Sequence, residues 1–182
     1  TDYIPVKTLT SDDSSVQWDI QQAAVNGAVE FIKLTANGSG YLATNGSFAS
    51  IANSTTMALA SHSSGTDNIY NYSSIYISGG LGSGQLRRII NYTGSTKTIT
   101  VNGAFTTSPN TTSTYYVGPR VSVVGDGSGA LAYANVTLPA LASAGTGNTI
   151  NEIIIVNRGT NYSKYEVVIN ANTSHGSAAT AN

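Results

Sequence analysis

One segment occurs twice in this chain, and that repetition limits the possible architectures more than any single residue does. Residues 29–41 read Val-Glu-Phe-Ile-Lys-Leu-Thr-Ala-Asn-Gly-Ser-Gly-Tyr, and residues 150–162 read Ile-Asn-Glu-Ile-Ile-Ile-Val-Asn-Arg-Gly-Thr-Asn-Tyr. At a constant shift of 121, Ile32 meets Ile153, Leu34 meets Ile155, Gly38 meets Gly159 and Tyr41 meets Tyr162. An apolar strand, a tight glycine turn and an anchoring tyrosine recur at fixed spacing. Repetition builds architecture, whereas catalysis needs unlike groups brought together, so the expected role is structural.

Composition supports an all-β reading. Charged residues are only 9% of the 182 residues, against about 25% in ordinary soluble domains. Ser, Thr, Asn and Gly together supply 82 residues, so hydroxyls and amides rather than charges must cover the surface. Disorder is a poor explanation, because 40% of the chain is apolar and it holds 11 Tyr. Hydroxyl and β-branched residues with few strong helix formers point to strands. The net charge of −1 and the lack of a basic stripe argue against nucleic acid as a partner. Without cysteine, disulfides and thiolate metal sites are excluded. No apolar run approaches the ~18 residues of a membrane-spanning helix, and no signal peptide is visible.

The pattern divides the chain into a host and an insert. Residues 2–8 look extended, with Pro5 favouring an edge strand. Ser11, Asp12 and Asp13 are helix-capping residues, and Val16, Ile20, Ala23 and Ala24 fall on one face, predicting a short helix over about 14–26. A strand over 28–35 and a turn over 37–40 follow. Residues 42–66 are weakly patterned, with a short helix or long loop expected around 48–60. Strands are expected at 74–78, 85–92, 97–101 and 113–117, with turns at 79–84 and 93–96. From 119 the first theme resumes: a strand, the Gly125-Asp-Gly-Ser-Gly129 turn, a strand with Ala130, Ala132 and Ala134 on one face, a loop over 139–148 and the repeated strand over 149–156. Residues 167–182 echo residues 121–135, which suggests a chain that stops inside a further copy and is a piece of a longer protein. The expected fold is mainly β. Residues 1–43 plus 119–182 form a repetitive antiparallel host with one short N-terminal helix, and 44–118 form an inserted small β-meander or barrel-like subdomain.

No constellation carries chemistry. Gly80-x-Gly82-x-Gly84 and Gly125-x-Gly127-x-Gly129 resemble fragments of phosphate loops, but alternating strand-like residues follow them where a helix start is required, so they read as hairpin turns. Asp126 alone is too few oxygens for calcium. His62 and His175, the only histidines, lie in Ser-rich stretches that read as exposed, and no Gly-x-Ser-x-Gly elbow accompanies them. Among the carboxylates, Asp12 and Asp13 read as caps. Glu30 and Glu152 sit near matching places in the repeat and mark a solvent or interface face. Asp2, Asp19, Asp67, Asp126 and Glu166 complete the set from which a glycosidase pair would be drawn. Tyr41 and Tyr162 read as structural anchors, whereas Tyr70, Tyr72, Tyr76, Tyr92, Tyr115 and Tyr116 of the insert read as exposed. No catalytic, cofactor-binding or metal-binding residue is assigned, and no cofactor is called for.

The block Ile4-Pro5-Val6-Lys7-Thr8-Leu9, followed by Asp12-Asp13 and by Trp18-Asp19-Ile20-Gln21-Gln22-Ala23-Ala24-Val25, resembles a baseplate wedge subunit of T4-like cyanophages. The Gly-Ser-Gly-Ala-x-Ala-x-Ala pattern at 127–134, followed by the Ile-rich strand with Asn157, Gly159 and Tyr162, resembles a module of phage virion proteins. Residues 77–101 resemble a recurrent tail and fibre hairpin. These resemblances imply a non-enzymatic virion component of the tail baseplate, made in the host cytoplasm. It would assemble with other baseplate or tail proteins, can pair with itself, and needs neither nucleic acid nor membrane. They also imply that residues 44–118 are a decoration of marine relatives. Two competing readings remain. In one, the insert is a receptor or glycan reader using Tyr residues with Arg87 and Arg88. In the other, the chain is a fragment of a polysaccharide depolymerase with two acids about 5 to 9.5 Å apart.

Overall fold

The computed structural model describes residues 27–137, 148–170 and 180–181. The chain is mainly β, and no helix occurs among the described residues. The helix expected over 14–26 and the extended segment 2–8 lie outside them. The described residues form thirteen strands: β1 (Leu34–Ala36), β2 (Thr44–Ser47), β3 (Ser50–Ile51), β4 (Thr56–Ala58), β5 (Ser74–Gly79), β6 (Leu86–Thr93), β7 (Thr98–Val101), β8 (Thr114–Gly118), β9 (Arg120–Gly125), β10 (Ser128–Val136), β11 (Ile150–Thr160), β12 (Tyr165–Asn170) and β13 (Thr180–Ala181). Every pairing between them is antiparallel.

One sheet has the order β2-β8-β5-β6-β7-β4-β3. Its two edges, β2 and β3, are joined by only Phe48 and Ala49, so the sheet must curl until they are neighbours. The resulting half-barrel encloses Phe48, Met57, Leu59, Tyr70, Ile75, Ile77, Ile89, Tyr92, Ile99 and Tyr115, all nearly or fully buried. The segment expected as a helix or loop around 48–60 is instead β3 and β4. Ser, Thr and Ala offer little helical bias, and Met57 gains a fully buried place opposite Ile99. β6 turns the corner of this half-barrel, pairing β5 through residues 86–88 and β7 through residues 89–93.

The second set has the order β11-β10-β9-β12, with β13 packed beside β12 and β1 paired to β13. The two copies of the repeat hold one another here. Tyr41 N–H donates to the Asn148 carbonyl (3.2 Å) and Tyr162 N–H to the Gly27 carbonyl (2.6 Å). Val29 N–H donates to Arg158 (2.8 Å) and Ile150 N–H to Asn37 (3.2 Å). A shift of 121 converts each bond of a pair into the other, the reciprocity of a two-fold interface written within one chain. The turns match as well. Gly38 and Gly159 have φ of 58° and 68°, and Gly40 and Asn161 have 81° and 62°. Ile32 and Ile153 are both buried, as are Tyr41 and Tyr162. β9 and β12 extend the relation, with Val121 opposite Ile169 and Val123 opposite Val167. The strands differ in extent. β11 lies against the full length of β10, whereas the regular part of the first copy is the three residues of β1.

In the second copy, Tyr162 reaches Tyr165 through Ser163 and Lys164. At the corresponding place in the first copy, Tyr41 reaches Pro119 through residues 42–118.

Candidate functional site

β10 is the hinge of the whole arrangement. Its alternation places Ala132 and Ala134 in the core of the second set, where they are buried, and turns Leu131, Tyr133 and Asn135 to the other side. That side faces the outer surface of the half-barrel. The Tyr133 ring stacks on Tyr76 (centroids 4.5 Å apart, planes 17°) and leans on Tyr116 (5.6 Å). The Tyr116 hydroxyl accepts a bond from Val136 N–H at 2.6 Å. Burial pushes the phenols of Tyr116 and Tyr133 upward; the neighbouring Tyr133 adds to the effect on Tyr116, and Tyr76 and Glu152 add to that on Tyr133. Both rings therefore stay neutral.

Two open grooves flank this contact. One, of about 360 Å³, is lined by Asn45, Ser47, Ser78, Thr114, Tyr133 and Asn135 among others. The other, of about 560 Å³, runs between the 80–87 turn, Thr106, Thr107 and Leu131. The first is walled by hydroxyls, amides and phenols, whereas in the second Leu81, Leu86, Leu131 and Arg87 join the hydroxyls and the Gln85 amide. Such groups can hold neutral polar surfaces by hydrogen bonding and stacking, and they offer no group poised to transfer a proton at neutral pH.

The residues singled out by sequence fall into structural places. Asp126 caps the turn after Tyr162, accepting bonds from Ser163 N–H (2.9 Å), Lys164 N–H (3.0 Å) and the Ser163 hydroxyl. These bonds hold its carboxyl well below the usual carboxylate range. Glu30 pairs with Arg158 at 2.7 Å, Glu152 accepts from Asn135, and Asp67 accepts from Gly94 N–H. His62 was expected to be exposed. It is half-buried, and its Nε2–H donates to the Asn45 carbonyl at 2.7 Å. Among the described residues no three His, Asp or Glu side chains group to hold a metal. His175, Asp2, Asp12, Asp13 and Asp19 lie outside them.

The tyrosines of the insert correct the reading from sequence. Tyr70, Tyr92 and Tyr115 are fully or almost fully buried, Tyr116 is 9% exposed, and Tyr72 is 66% exposed. The buried rings are tolerated because their hydroxyls find partners: Ser64 N–H for Tyr70, the Ser64 carbonyl for Tyr92 and Ala60 N–H for Tyr115. Arg87 is likewise used internally. It donates to the carbonyls of Ala104 and Leu86 and lies 5.3 Å over the Phe105 ring. The alternation at 130–135 could have revealed Tyr133 as a contact residue, since its ring must point away from the alanine face. The same alternation sets its partner Tyr76 apart from the buried Ile75 and Ile77, but nothing in the sequence says that the two rings meet.

Comparison with protein-family models, curated proteins and solved structures finds no match to this chain.

Proposed function

We propose that this chain is a structural component of a phage tail baseplate that assembles with other virion proteins and catalyses no reaction. The observation that carries the reading is the reciprocal repeat, four backbone bonds that tie two copies of one segment into a scaffold. The resemblance of the N-terminal block to a wedge subunit supplies the setting. The nearly uncharged surface supports it as well. Contacts between neutral polar surfaces are less salt-sensitive than ion pairs, an advantage for assembly in seawater. Mass spectrometry of gradient-purified virions tests the reading. Peptides of this chain are expected at a fixed stoichiometry to other tail proteins, and their absence from intact particles would sink it. Sedimentation velocity offers a second check. The assemblies formed are expected to persist from low salt to marine salt, and salt-driven dissociation would count against the proposal.

A second reading, a glycan- or receptor-binding module within a tail or fibre protein, is favoured by one observation. Tyr72 stands 66% exposed, an aromatic ring turned to solvent.

A further inference from the structure

Tyr72 is held in an unusual way. Its φ is 68°, a left-handed conformation that a bulky side chain rarely adopts, and its ring is 66% exposed. The hydrogen bonds show why the backbone turns there. Tyr72 N–H donates to the Ile89 carbonyl (2.9 Å), and Ile89 N–H donates to the Ser73 carbonyl (2.9 Å). Two residues of one strand thus face one of the other, a β-bulge whose first position is left-handed and is ordinarily glycine. This chain uses glycine at nine other positive-φ positions among the described residues. A tyrosine at this one gives up backbone stability without burying its ring, which is the mark of a side chain retained for contact.

A second backbone irregularity points to the same place. Between β6 and β7 the register passes from Ile89 opposite Val101 to Asn91 opposite Thr100, leaving Ile90 as the extra residue, 43% exposed. The bulge ends the β5–β6 register ahead of Ser74, and the bond from Tyr72 N–H to the Ile89 carbonyl sets residue 72 against the Ile89–Ile90 peptide. Arg88 lies two residues from Ile90 on that strand, about 7 Å away. The one ion pair among the described residues joins Glu30 and Arg158, so Arg88 has no carboxylate partner among them, and its Nε is buried without an acceptor. Exposed amides, Asn91 and Asn102, lie alongside, and Asn102 bonds the backbone of Arg88.

We propose that Tyr72, Ile90 and Arg88 form a docking platform for an acidic oligosaccharide. This deepens the glycan-binding reading and rests on it. The ring of Tyr72 takes the C–H face of a pyranose, Ile90 extends that face, Arg88 meets a sugar carboxylate and the amides meet hydroxyls. Two apolar side chains are too small a core for a stable protein interface, which buries about 800 Å² per partner. They suit one or two sugar rings.

The test is a printed array of uronic-acid, sialic-acid and neutral oligosaccharides, probed with the labelled full chain and with Tyr72→Gly and Arg88→Gln, each variant also melted thermally. The chain is expected to bind acidic sugars. Tyr72→Gly is expected to lose binding at least ~10-fold while melting no lower than the parent, because glycine relieves the bulge. Arg88→Gln is expected to lose the preference for acidic over neutral sugars. If acidic sugars bind and both variants bind them unchanged, the platform is wrong but the glycan reading survives. If no sugar binds, both fall. A Tyr72→Gly variant that melts markedly lower would show a structural tyrosine and overturn the proposal. So would an empty array together with loss of a virion-protein contact in that variant.

Discussion

At the scale of single residues, the turn between β9 and β10 works as a socket for Tyr162. The Tyr162 ring lies so close to Gly127 that a Cβ there would come within 2.4 Å of it and 2.6 Å of the Thr160 carbonyl. Gly127→Ala is therefore expected to destabilise the chain by about 3 kcal/mol in urea titration, since ring and backbone cannot both move aside. Gly103→Ala is the control. Nothing lies within 4 Å of its added methyl, and a change of under about 1 kcal/mol is expected. Asp126, on the same turn, sets a pH dependence. Its pKa is lowered in the folded chain by bonds from Ser163 and Lys164, so its contribution is complete above the unfolded-state value near ~4 and fades as pH falls below it. The melting temperatures of the parent and Asp126→Asn should differ at neutral pH and converge toward pH ~2. A constant gap would refute that account. The anchoring role of Tyr162 was legible in the repeat, but its seat on Gly127 was not, because the two are brought together only by the pairing of β10 with β11.

Strands are the next scale, and there the pattern in the sequence served well wherever apolar residues alternate. β5, β6, β7, β8 and β10 fall close to their expected spans; β7 and β10 bury alternate residues, whereas β8 is buried as a continuous run between neighbours. Around 48–60 the pattern failed, since small hydroxyl residues form strands there only by pairing with partners already in place. The repeat makes its own prediction for elements. Ile32→Ala and Ile153→Ala remove equivalent buried side chains, exposed 4% and 8%, from one core, and each should cost about 2–4 kcal/mol in chemical denaturation. A cost confined to Ile153 would mean that the first copy adds little to the scaffold. Tyr133→Ala should be felt across both sheets, since it removes the stack on Tyr76 and the contact with Tyr116. Near-ultraviolet circular dichroism would register that loss.

For the whole molecule, residues 42–118 link Tyr41 to Pro119 where Ser163 and Lys164 alone link Tyr162 to Tyr165. Substituting Ser-Lys for residues 42–118 would join Tyr41 to Pro119 as Tyr162 is joined to Tyr165. The shortened chain is expected to melt cooperatively with a smaller urea dependence, in keeping with the surface removed. Loss of cooperative melting would show that the two cores depend on one another. Taken alone, the sequence determined the β class, the equivalence of the two copies and the shortage of charge, because strand periodicity, glycine turns and composition are carried by residues close together in the chain. Only the tertiary structure decided that the copies bond reciprocally, that Tyr70, Tyr92 and Tyr115 turn into the half-barrel, and that Tyr72 is held outward on a bulge. Each of those outcomes depends on which strand lies beside which, and no short stretch of sequence contains both sides of such a contact.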